Sequence, residues 1–106
     1  MNSADYFNSG KAYYGQKQYS EAITEYTQAI ELDSNYKEAY YNRGLCYYGL
    51  SQYEKAIANY DEAIKIDPEY RLAYYDRSIS YRKLGRNREA AADFAKATGL
   101  NNIIYS

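Results

Sequence analysis

The chain has 106 residues with 13 basic and 14 acidic side chains, a formal net charge of −1. That length suits one small domain with a modest core and excludes a two-domain enzyme with an interdomain cleft, and the balanced charge provides no overall field to recruit nucleic acid or an anionic membrane. The lone Cys46 cannot form an internal disulfide, the opening Met1-Asn2-Ser3-Ala4-Asp5 lacks the basic and apolar regions of a secretion signal, and no apolar run approaches the roughly 20 residues of a membrane span, so the expected compartment is cytoplasmic.

Tyrosine occurs 17 times, phenylalanine twice, and tryptophan and histidine not at all. A bias of that kind points to one position used repeatedly. Shifted by 34 residues the sequence matches itself, in blocks Ser3 to Tyr36, Lys37 to Tyr70 and Arg71 to Ile104. The first block carries Tyr6, Gly10, Tyr13, Tyr19, Ala22, Tyr26, Ala29 and Asp33. The second repeats them as Tyr40, Gly44, Tyr47, Tyr53, Ala56, Tyr60, Ala63 and Asp67, and the two agree at 15 of 34 positions. In the second block Ala39, Tyr40, Tyr47 and Leu50 fall on one helical stripe, and Ala56, Ile57, Tyr60, Ala63 and Ile64 on another. The segment Leu50-Ser51-Gln52-Tyr53 turns the chain between them, and Asp67-Pro68 stops the second helix. The third block drifts, with Ser78 at the glycine position and Asn87 where the others have Tyr19 and Tyr53.

Each block therefore reads as a helical hairpin. Gly10, Gly44 and Ser78 are all small and are expected to face Ala22, Ala56 and Ala90 across a close helix crossing. A hairpin this short cannot bury both stripes alone, so neighbours must stack around a shared core. The expected fold is an all-α, right-handed α-solenoid of three stacked helix-turn-helix hairpins, about six helices, forming one domain over residues 1–106.

Counted from the start of each block, these residues resemble the tetratricopeptide repeat (TPR) family. Its pattern asks for a large aromatic at position 4, Gly or Ala at 8, Tyr at 11, Ala at 20, an aromatic at 24, Ala at 27 and Pro at 32. The second block meets it throughout with Tyr40, Gly44, Tyr47, Ala56, Tyr60, Ala63 and Pro68; Ser34 and Asn102 replace the proline in the other two. The resemblance implies a non-catalytic interaction module whose first helices line a concave groove that binds a peptide segment of another protein. It places in that groove Phe7, Asn8, Lys11 and Tyr14 from block one, then Glu38, Tyr41, Asn42, Leu45 and Tyr48, then Leu72, Tyr75, Asp76, Ile79, Arg82 and Lys83.

Packing accounts for most tyrosines, but Phe7, Tyr41 and Tyr75 share one level of the groove and Tyr14 and Tyr48 another, without the core pattern requiring them. They supply apolar area at low conformational cost, and Tyr41 and Tyr48 are expected to be removable without loss of fold. Asn8 and Asn42 form an aligned amide pair able to bond an extended peptide backbone. Chaperone-binding members clamp a terminal carboxylate pair with Lys and Asn, then Asn, then Lys and Arg; here those places hold Phe7, Lys11, Asn42, Leu72 and Asp76, so the clamp is expected to be absent.

Cys46 sits where the sibling blocks have Ala12 and Ser80, the place of a small buried residue. With no histidine, no acidic pair in a motif and no phosphate-binding glycine loop, no catalytic, metal or cofactor site is expected. The blocks carry net charges of −3, −2 and +4, a polarity that could orient an acidic ligand segment or favour weak head-to-tail self-association, the alternative function. Glu38 and Asp76 in the groove argue against a nucleic-acid ligand. Ala91 and Thr98 in place of Ile57 and Ile64 shrink the last apolar face. The tail Asn101 to Ser106 is expected either to fold back over it or to begin a segment continuing in a longer protein.

Overall fold

The computed structural model describes residues 1–99 and contains six helices: α1 (Ser3–Gly15), α2 (Tyr19–Leu32), α3 (Lys37–Gly49), α4 (Tyr53–Ile66), α5 (Arg71–Lys83) and α6 (Asn87–Thr98). The expected tail contact lies outside the described residues. Helices pair as α1·α2, α3·α4 and α5·α6, and each second helix packs on the first helix of the next hairpin, so the chain is an all-α solenoid. None of the helices is long and apolar enough to cross a membrane.

The turn inside each hairpin is a Schellman motif. Its closing bond runs from Gln18 N–H to the Tyr13 carbonyl (2.9 Å), from Gln52 to Tyr47 (2.8 Å) and from Arg86 to Tyr81 (2.9 Å). The residue before each donor is left-handed: Lys17 and Ser51 at φ 60°, and Gly85 at φ 76°. Between hairpins an aspartate makes the turn, with Asp33 Oδ1 accepting from Asn35 N–H (3.1 Å) and Asp67 Oδ1 from Glu69 N–H (3.0 Å). The start of α1 is closed by a reciprocal box in which Asn2 and Asp5 bond each other's backbone N–H.

A tyrosine ring laid on each glycine fixes the helix crossing of the first two hairpins. The Tyr26 ring lies on Gly10 and the Tyr60 ring on Gly44, so closely that a Cβ at either glycine would come to 2.5 Å from the ring's Cε1. Both rings are fully enclosed, as are Ala22, Ala29, Ala56 and Ala63 beside them on the same helices. Each core cluster then borrows a small residue from the following hairpin: Cys46 joins Ala22 and Tyr26, and Ala73 joins Ala56, Tyr60 and Ala63. Burial pushes the Cys46 thiol up to about 12, which keeps it protonated and inert at neutral pH. In the third hairpin the equivalent ring, Phe94, is 39% exposed.

A polar seam crosses the same junctions. Arg43 on α3 donates through Nε to Asn59 Oδ1 of its own hairpin (2.7 Å) and through Nη1 to Thr27 Oγ1 of the preceding one (3.1 Å). Arg77 on α5 repeats this with charge, holding both Asp93 oxygens (2.7 Å each) and Asp61 Oδ1 (2.8 Å). The Arg77 guanidinium also lies over the rings of Tyr74 and Tyr81, at 5.4 and 5.8 Å from their centroids. A second link, Lys37 Nζ to Asp67 Oδ2 at 2.6 Å, ties the two ends of the middle repeat.

Two measurements check these contacts. Gly44→Ala should destabilise by about 1–3 kcal/mol, because the enclosed Tyr60 ring has nowhere to move. Gly15→Ala, with no atom within 4 Å of its added Cβ, should instead stabilise by about 0.5–1 kcal/mol through helix propensity. Urea titrations showing the same sign for both would contradict the ring-on-glycine account. Arg77→Ala strands the Asp93 carboxylate, whose side chain is only 9% exposed, and should cost about 3–5 kcal/mol. Arg43→Ala strands only neutral groups and should cost about 1–2 kcal/mol; equal losses would remove the distinction.

Candidate functional site

The two faces of the solenoid are not equivalent. The first helices touch one another, α1 to α3 and α3 to α5, whereas the second helices of successive hairpins do not. The layer whose members lie closer is the inner one, so α1, α3 and α5 floor the concave side.

On that side Tyr48, Tyr75, Ile79, Arg82 and Lys83 line one open cavity of about 490 Å³. Tyr75 is 44% exposed and Arg82 is exposed, while Tyr48 and Ile79 are half-buried. Tyr14 is 37% exposed and leans on Tyr19, their centroids 5.8 Å apart. Asn8 and Lys11 are exposed at the first hairpin, with Lys11 Nζ 5.6 Å above the Phe7 ring, and Asn42 and Leu45 are half-buried. The first-hairpin residues therefore do not line this cavity, which the second and third hairpins form.

The aromatic row at the fifth position is less free than the sequence implied. Phe7 stacks on Tyr36 at 4.9 Å and leans on Tyr26 at 5.7 Å; Tyr41 is wedged between Tyr70 at 5.3 Å and Tyr60 at 5.9 Å. Tyr36 and Tyr70, which end the first two repeats, close over these rings. Phe7 and Tyr41 thus contribute to the packing as well as to the groove side. Tyr75 touches Phe94 at 6.3 Å and keeps its exposure.

The groove residue whose role sequence reasoning missed is Asp76. Its Oδ2 accepts the Tyr41 hydroxyl proton at 2.5 Å, and among the described residues no Lys or Arg forms an ion pair with it. Burial raises its pKa, only partly countered by the Tyr41 bond. Burial and the Asp76 charge together hold the Tyr41 hydroxyl well above the usual phenol range. Nearby, the Tyr60 hydroxyl is enclosed and has no hydrogen-bond partner, with Asp76 as its foremost charged neighbour. One repeat earlier the Tyr26 hydroxyl lies beside Asn42 without a formed bond. The alignment of Asn8, Asn42 and Asp76 was the available signal.

Family models described as TPR repeat or tetratricopeptide repeat match residues 10–51, 38–70 and 72–103. The Arabidopsis OM64 TPR domain is 34% identical over 92% of this chain and 81% of that one, with a TM-score of 0.90. The chain belongs to the tetratricopeptide repeat family. Among TPR structures it is also similar to the second TPR of Spaghetti (RPAP3) bound to the HSP90 peptide SRMEEVD, at 26% identity, 92% and 91% coverage and a TM-score of 0.90. A crystal structure of MamA is 30% identical with a TM-score of 0.90, over 96% of this chain and 60% of that one. No curated protein sequence matches the chain significantly.

As a TPR member the chain carries a half-buried groove carboxylate without a cation, an arrangement that opposes folding. The folded carboxyl holds its proton more tightly than the unfolded one, so ionised Asp76 costs stability at neutral pH, and the cost vanishes below the ordinary value of 3.8. Asp76→Asn, which can still accept from Tyr41, should therefore raise the melting temperature at pH 7, with an advantage that shrinks as the pH falls toward 3.8. A lower melting temperature for the variant at pH 7 would show that the carboxylate supports the fold instead.

Proposed function

We propose that this TPR domain is a non-catalytic module that holds a peptide segment of a partner protein in its concave groove. The observation that carries the reading is the cavity on the inner face, where Tyr48, Tyr75 and Ile79 offer apolar and aromatic surface beside the cations Arg82 and Lys83. Rigid aromatics with a polar rim are what gives peptide grooves their affinity. Support comes from a similar TPR domain whose structure holds a peptide.

The ligand of that relative does not transfer to this chain. Phe7, Lys11, Asn42, Leu72 and Asp76 stand where a carboxylate clamp needs Lys, Asn, Asn, Lys and Arg, and the Asp76 charge repels a terminal carboxylate. The partner is a protein and not a nucleic acid, since the groove floor mixes acids with cations and presents no basic track.

Because Tyr41 is wedged into the packing, the groove is best tested at the two aromatic walls of its cavity. Peptides selected from a random display library on the immobilised wild type should lose at least about tenfold in affinity for the Tyr48→Ala, Tyr75→Ala double variant, while helical circular dichroism is preserved. Full affinity in the folded variant would move the binding surface elsewhere.

A further inference from the structure

Two features of the inner face converge on one point. Asp76 presents a carboxylate whose Oδ1 has no donor among the described residues. Tyr41 is fixed by the rings of Tyr60 and Tyr70, and its hydroxyl holds Asp76 Oδ2, so the carboxylate cannot swing away. A half-buried carboxylate without a cation is costly, and that cost falls when a donor-rich cation arrives.

From this we infer that the centre of the groove is a subsite for one basic side chain, a lysine or arginine of the bound segment. The inference rests on the groove reading above and adds the charge of its ligand. An ammonium or guanidinium carries several donors and no acceptor, which suits the free lone pairs of Asp76 Oδ1. The aliphatic stem of the same side chain would lie along Tyr48 and Tyr75. Further along α5, Arg82 and Lys83 border the cavity, so a polybasic stretch is repelled and a single basic residue among apolar ones is favoured. That selection is opposite in sign to a terminal-carboxylate clamp.

The test uses acetylated and amidated pentapeptides Ser-Leu-X-Leu-Ser, with X lysine, glutamine or glutamate, titrated into the isotope-labelled chain and followed by nuclear magnetic resonance. The lysine peptide should bind about tenfold more tightly than the glutamine one, with glutamate weakest, in line with the strength of a charge-assisted hydrogen bond. It should also move the Asp76 side-chain carboxyl resonance in the wild type. Asp76→Asn should erase the lysine preference and leave the glutamine affinity in place. Equal affinity for lysine and glutamine, with Tyr48 and Tyr75 signals shifting in both, would overturn the cation subsite while keeping the groove. Silence of every groove signal with all three peptides would overturn both. A glutamine peptide with a free amino terminus that matches the lysine peptide would assign the site to a chain end and overturn the side-chain assignment.

Discussion

A tyrosine ring laid across a glycine sets the geometry on which the rest of this solenoid depends. Tyr26 on Gly10 and Tyr60 on Gly44 bring the two helices of a hairpin closer than any side chain at the glycine would permit. The same rings reach the next hairpin, where Cys46 and Ala73 complete their enclosure. One contact therefore fixes both the crossing within a repeat and the spacing between repeats. It also carries a hydroxyl into the junction, and the junction supplies no partner for it. The ring is structural, and its oxygen is left over.

The polar seam works on the other axis. Arg43 and Arg77 each reach one residue of their own hairpin and one of the hairpin before, so they resist sliding between repeats in a way apolar contacts do not. The seam strengthens toward the third repeat, where Asn59 and Thr27 give way to Asp93 and Asp61. That is also where the aromatic core weakens, since Phe94 is partly exposed and Ser78 replaces the glycine. Charged hydrogen bonding there holds a hairpin with less buried aromatic surface, and Arg82 and Lys83 stay available at the groove edge.

Much of this was legible in the sequence because a 34-residue period is redundant. Tyr26 and Tyr60, the small residues opposite them and the turns at Ser51 and Asp67 each appear at least twice in register. What was not legible depends on which positions meet across hairpins. Phe7 and Tyr41 looked like surplus surface because nothing in the pattern says that Tyr36 and Tyr70 fold over them. The Arg43 and Arg77 contacts were hidden for the same reason, as each pairs a residue with one in the preceding block. Asp76 could be placed in the groove from its alignment with Asn8 and Asn42. That Tyr41 pins its carboxylate follows only from three dimensions.

Cys46 is the chain's sole cysteine, and its sulfur is sealed where the first two hairpins meet. A protonated, shielded thiol is silent toward alkylating agents and oxidants while that seam is shut. Its trapping rate is therefore a built-in gauge of how often neighbouring repeats part, and no label need be engineered to read it. Any ligand that cements the inner layer should slow that clock, so breathing of the array and occupancy of its groove can be followed through one sulfur atom.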